Sequence, residues 1–369
     1  MNVNEMRWRR RHWLAALTAL LGSPVSAVQP APARRIDQDR LALSWVDSAG
    51  HWLGVLRLAP GGPRLDARLA IPTRAHALRV LPDGSLLAVA RRPGDWLLHW
   101  TPSGQVLRWG WIEPDRVYNG HVLVSPDGRT LYTTETDFQS GAGLVGLRDT
   151  RTLQKRDEWR THGIDPHALI RDADGQLLVA NGGIATRPET GRLKLDLERM
   201  DSSLVRLAPD DGALLGQWRL DDRRLSLRHL ALAADGTVGI ALQAEHDEAE
   251  RKQTAPVLAV FDGRQLRTAV PPAGLSLQGY GGDIASTGDG FFAVSCTRAH
   301  CVSLWHADGR YAGQWPLDEA CALAPGRRGN VRAGGRTAGF ELSAPPGEPA
   351  PQRLPLPTGA RPDNHWTRL

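Results

Sequence analysis

Short apolar runs separated by tight polar turns recur along this chain in a unit of about 40 to 55 residues: apolar run, Asp-Gly turn, apolar run, polar loop, apolar run, Gly turn, apolar run. The Asp-Gly turns fall at Asp83-Gly84, Asp127-Gly128, Asp174-Gly175, Asp235-Gly236 and Asp289-Gly290, with Pro325-Gly326 a degenerate sixth. Ser103-Gly104, Asp211-Gly212, Asp262-Gly263 and Asp308-Gly309 close the later hairpins. Four strands per unit at this spacing describe propeller blades. First strands are expected at 77–81, 121–125, 168–171, 229–233, 282–286 and 321–324. Three further strands near 41–46, 51–57 and 65–70 lack a first strand, which the tail Asn364–Leu369 supplies. The pattern predicts an all-β, seven-bladed β-propeller, WD40/YVTN-like, its ring closed by the C-terminal strand pairing with the N-terminal blade.

In an up-and-down blade, the loops into first strands share one face with the loops between second and third strands; the Asp-Gly turns lie on the other. Five histidines fall where first strands begin: His76, His121, His167, His229 and, in the tail, His365. They are expected around the mouth of the axial channel. The register is uneven, because His76 and His167 precede their turn aspartate by seven residues and His121 and His229 by six. Strict strand alternation would not aim all of them alike. Asp283 and Cys321 hold comparable places in the two remaining blades. The same face collects Arg91-Arg92, Thr134–Asp137, Asn181-Gly182-Gly183 with an insertion to about Ser202, and Gln243–Asp247. Insertions gathered on one face mark the functional side, and Arg187 and Arg192 in the longest are placed to roof the mouth.

Neutral imidazole offers a nitrogen lone pair at ambient pH, and several together suit copper, iron or zinc. The five histidines are therefore read as ligands of a transition metal, iron or copper first, with zinc possible. Glu135, Asn181, Arg228 and Asp283 are read as polar neighbours that support the site. His51, His99, His162, His300 and His306 share no such position and read as surface residues; His246, in a charged run, reads as solvated. No CxxCH occurs, which excludes covalently attached c-type haem. Ser203, Ser226 and Ser276 lack a nucleophile-elbow setting, and Gly281-Gly282 is not a phosphate loop.

At 369 residues the chain exceeds the usual single-domain size, but a closed β-ring holds such a length as one unit. A hydrophobic content of 41%, 39 Gly and 26 Pro suit many short strands and tight turns. The start departs from this pattern: a basic stretch at Arg7–Arg11, an apolar run at Ala15–Leu21 and Val25-Ser26-Ala27 read as a secretory signal. Arg10-Arg11 ahead of Trp13-Leu14 resembles a twin-arginine export signal. The expected organisation is a signal at 1–27 and one propeller domain at 28–369, periplasmic and with no stable membrane span once the signal is removed. Removal takes four arginines and one glutamate, lowering the formal charge of +5 to about +2 and leaving no electrostatic case for nucleic acid. Cys296 and Cys301 flank a hairpin turn and are expected to cross-link in an oxidising compartment, leaving Cys321 odd.

Taken together, Tyr118-Asn119-Gly120-His121, Ser125-Pro126-Asp127-Gly128, Tyr132-Thr133-Thr134-Glu135, Gly163-Ile164-Asp165-Pro166-His167, Ala180-Asn181-Gly182-Gly183-Ile184, Arg228-His229-Leu230-Ala231 and Asp363-Asn364-His365 resemble a family of exported bacterial propellers known as a domain of unknown function. Where that family resembles Tyr-Gly-His-Gly, this chain has Asn119-Gly120-His121-Val122. The resemblance implies clustering with imelysin-like and di-haem periplasmic proteins as candidate partners, and a role in iron or other metal acquisition. A metal-dependent oxidoreductase and a non-enzymatic interaction scaffold are the alternative functions.

Overall fold

Closure of the ring is visible first at the chain ends. In the computed structural model, which describes residues 39–59, 63–186, 193–347 and 350–369, β1 (Asp39–Asp47), β2 (Gly50–Leu58) and β3 (Arg64–Ile71) form one antiparallel sheet. The inner edge of β1 takes two short strands from the C-terminus, β28 (Arg361–Pro362) and β29 (Thr367–Arg368). The tail thus completes the N-terminal blade as its inner strand, broken in the middle. The proposed signal at 1–27, and Arg187 and Arg192, lie outside the described residues.

Six four-stranded blades follow in chain order. Blade 2 is β4 (Ala75–Val80), β5 (Leu86–Ala90), β6 (Trp96–Trp100) and β7 (Val106–Trp111); blade 3 is β8 (Arg116–Val124), β9 (Thr130–Asp137), β10 (Ala142–Asp149) and β11 (Lys155–Ile164). Blade 4 is β12 (Pro166–Arg171), β13 (Leu177–Asn181), β14 (Ser203–Leu207) and β15 (Leu214–Trp218); blade 5 is β16 (Leu225–Leu232), β17 (Val238–Ala244), β18 (Leu258–Phe261) and β19 (Leu266–Thr268). Blade 6 is β20 (Asp283–Ser286), β21 (Phe291–Cys296), β22 (Cys301–His306) and β23 (Tyr311–Pro316); blade 7 is β24 (Ala322–Pro325), β25 (Val331–Gly334), β26 (Gly339–Leu342) and β27 (Gln352–Leu354). The inner strands touch in a closed cycle, β4 to β8, β12, β16, β20, β24, β29 and back to β4. This is the seven-bladed propeller that the repeat predicts.

Strand alternation explains why the sheets pack face to face. In β5, Leu86, Ala88 and Ala90 pack towards blade 1, while Leu87 and Val89 pack towards blade 3. Each blade is thus apolar on both faces, and the buried apolar residues form one cluster at every blade-to-blade contact. The Asp-Gly turns work by local chemistry: Asp83, Asp127 and Asp235 accept the backbone N–H two residues on, at 2.9–3.0 Å, with the intervening glycine at positive φ. The degenerate turn departs from expectation. Pro325 ends β24, and the glycine at positive φ is Gly329 rather than Gly326. Cys296 and Cys301 pair across β21 and β22, but both are free thiols rather than a disulfide. No helix among the described residues is long and apolar enough to cross a membrane.

Candidate metal site on the propeller axis

Four inner strands break their hydrogen-bond ladder at the histidine. Between Ala75 and Leu78, Pro166 and Leu169, and Leu227 and Leu230, the inner strand advances three residues while its partner advances two; between Tyr118 and Val122 it advances four against two. Each break is a bulge, which re-aims the side chains it contains. His76 and His167 come first in their bulges, His229 and His121 last. The one-residue difference in spacing to the turn is thereby absorbed, and all four rings reach the axis. His365 occupies the gap between β28 and β29 with φ +64°. Gly120, at φ +106°, permits the close approach of blades 2 and 3, since a methyl there would stand 2.6 Å from His76 Cδ2.

The five rings form one cluster. His76 lies with its centroid 4.6–5.5 Å from those of the other four, and His229 and His365 are 4.3 Å apart. His167 Nε2 is 2.8 Å from His229 Nε2, which is 3.4 Å from His76 Nε2. One ligand nitrogen from each of His76, His121, His167 and His229 lies within 4.8 Å of every other, and His229, His365 and Asp283 make a second such group. A tetrahedral ion with bonds of about 2.0–2.1 Å sets its ligand nitrogens roughly 3.3 Å apart, so these spacings need shifts of only tenths of an ångström for the nearest pairs. His76 and His167 stand where β4 and β12 begin, as expected, whereas β8 and β16 begin several residues before His121 and His229; burial places all four inside the channel.

Burial sets the charge state. His76, His121, His167 and His229 are 3–7% exposed, and desolvation, reinforced by the neighbouring histidines, pushes their pKa values well below the ordinary range. The rings are therefore neutral, and each presents a lone pair. His76 Nδ1, His121 Nε2, His167 Nδ1, His229 Nδ1 and His365 Nε2 are buried without a hydrogen-bond partner, a cost of about 1–3 kcal/mol for each such group. His365 is oriented by Asp283, whose Oδ1 lies 2.8 Å from Nδ1. A carboxylate only accepts, so Nδ1 carries a proton towards Asp283, while Nε2 is the ring nitrogen without a partner. Asp283 is itself held by the N–H groups of Ile284 and Leu323 at 2.8 Å.

The remaining residues expected at the site divide. Arg228 lines a small chamber beside the histidines and pairs with Asp165 at 2.8 Å. Glu135 does not join: strand alternation turns it into blade 3, where Arg148 and Lys155 hold its carboxylate at 2.8 and 3.0 Å. Nor does Asn181, whose amide donates to Thr161 O and Ser203 Oγ inside blade 4. Cys321 turns its thiol towards backbone carbonyls of Gly334 and Pro362, and burial pushes its pKa up to about 12. His246 is buried against Asp222 at 2.8 Å rather than solvated. Asp165 and Arg92 were missed as site residues. Their signal was present in Arg91-Arg92 and in the Asp-Pro-His and Arg-His motifs, but the pairing of those segments is a matter of tertiary contact.

A family model described as a protein of unknown function, DUF1513, matches residues 69–369. The chain belongs to that family. No curated protein sequence matches this DUF1513 chain. Among solved structures it is similar to virginiamycin B lyase from Staphylococcus aureus, with a TM-score of 0.58 at 11% identity over 79% of this chain and 87% of that one. It is also similar to a Lactobacillus plantarum protein, with a TM-score of 0.60 at 14% identity over 90% and 99% of the two chains. At such identities the likeness is one of fold.

Proposed function

We propose that this protein binds a transition metal ion on the propeller axis, through His76, His121, His167, His229 and His365, with Asp283 orienting His365. The observation that carries the reading is the convergence of five imidazoles from five blades, four of them buried and neutral, each with a nitrogen that has no hydrogen-bond partner. The Nε2 atoms of His76, His167 and His229 stand 2.8–3.4 Å apart in a chain, and an ion placed among them would take up their lone pairs together. An all-imidazole donor set with no thiolate suits iron, copper or zinc. The signal-like start and the resemblance to exported family members support a periplasmic setting and a part in iron or other metal acquisition, with imelysin-like or di-haem proteins as partners.

Elemental analysis of protein purified from its own periplasm tests this. About one equivalent of a transition metal per chain is expected, and less than about a tenth of an equivalent of any would overturn the reading.

A further inference from the structure

The histidine cluster lies between two cavities. On one side, a chamber of about 130 Å³ is lined by inner-strand residues such as Leu169, Ile284 and Leu323 together with Arg79 and Asp283. On the other, a chamber of about 20 Å³ touches His76, His167 and His229 and is bounded by Arg91, Arg92 and Arg228. Arg91, Tyr280 and Asn364 also line a wider vestibule of about 360 Å³, to which Arg74, Arg336 and Arg361 contribute. The inner chamber has room for about one water-sized group, so only the leading oxygen of a ligand's head could enter it, with the rest of the head on the vestibule side.

The charges here do not balance. Arg92 and Arg228 share Asp165, while Arg74 and Arg91 share Asp363, Arg91 at 3.4 Å. Four guanidiniums against two carboxylates leave two positive charges beside the histidine cluster. The side chain of Arg228 is 2% exposed and its Nε has no hydrogen-bond partner. Repulsion is already felt: after burial itself, Arg74 is the main influence lowering the pKa of Arg91. A divalent ion held by neutral imidazoles would keep its double charge, offset nearby by Asp283 alone. Buried charge of one sign is costly unless paired, so a cation among the histidines calls for an anion among the arginines.

We propose that Arg91, Arg92 and Arg228 form a receptor for the anionic head of a ligand, a carboxylate, carbonate or phosphate, that also contacts the ion held by the histidines. Guanidinium forks match the paired oxygens of such heads, and the vestibule beyond takes whatever body the head carries. The protein therefore binds its metal together with an oxyanion, either as a metal–anion complex or as an ion whose open position accepts an anionic substrate. This inference rests on the metal-binding reading and names the chemistry of its second ligand.

Cobalt(II) chloride titrated into metal-free protein at constant ionic strength, alone and with acetate, bicarbonate or phosphate, tests it. At least one oxyanion should raise cobalt affinity about tenfold to a hundredfold and alter the visible cobalt spectrum; which one does so identifies the head group. Arg91→Gln should remove most of that gain while leaving binding from chloride solution, and Arg91→Lys should restore part of it. Cobalt binding of equal strength with and without every oxyanion overturns the anion receptor and leaves the metal site standing. A wild-type protein that takes no cobalt in any of the solutions overturns both.

Discussion

The five blades that carry a histidine and the two that do not differ in their inner strands. In blades 2 to 5 the ladder is bulged at the histidine, and in blade 1 it is interrupted at His365. In blades 6 and 7 the pairings from Asp283 to Ser286 and from Ala322 to Pro325 run without a shift. The irregular blades aim side chains at the axis, whereas the regular ones position the others: Asp283 of blade 6 sets His365 and is steadied by the backbone of blade 7. Bulges give up ladder hydrogen bonds and place polar rings in the interior. That local instability is concentrated where ligand binding can offset it.

The contrast between the two kinds of blade can be tested directly. The double variant His167→Ala/His229→Ala should lower bound metal from about one equivalent to under about a tenth while the ring keeps its β-sheet circular dichroism; full retention of metal would end the ligand assignment. The next effect is on pH dependence. The four buried imidazoles have folded-state pKa values below their ordinary 6.5, so as pH falls below that value the unfolded chain binds protons that the native ring does not. The stability of the metal-free protein should therefore fall with pH below about 6.5, by up to about 1.4 kcal/mol per pH unit for each imidazole. Urea midpoints across pH 5 to 7 measure this, and the double variant should show about half the slope.

A smaller pair of substitutions addresses the backbone. Gly120→Ala forces a methyl against His76 at positive φ and should cost about 2–3 kcal/mol by thermal or urea melting. Gly288→Ala in blade 6, where nothing lies within 4 Å, should change stability by less than about 0.5 kcal/mol. Equal costs would show that the backbone at Gly120 is no tighter than an open turn between β20 and β21. Last, Asp283→Asn weakens the contact that orients His365 and should reduce metal affinity about tenfold to a hundredfold without removing binding.

The repeat, its turns and the closing tail were legible along the chain because an Asp-Gly turn and an apolar run are set by neighbours a few residues apart. The five histidines could be named for the same reason, each standing at one point of the repeat. Their common direction could not be read, because His76 and His121 differ by one residue in spacing and only the ladder partner shows where a bulge takes up the difference. Glu135 and Asn181 looked alike as polar loop-edge residues, and their withdrawal into blades 3 and 4 followed from which cation or carbonyl lay across the sheet. Asp165 and Arg228 are 63 residues apart along the chain and 2.8 Å apart in the fold. Short-range turn chemistry and apolar periodicity were enough to specify a seven-fold ring and the residues available at its centre. The packing of blade on blade was needed to bury four of the histidines as neutral rings and to set a surplus of guanidinium charge beside the cluster, since burial and pairing depend on the blades that face one another.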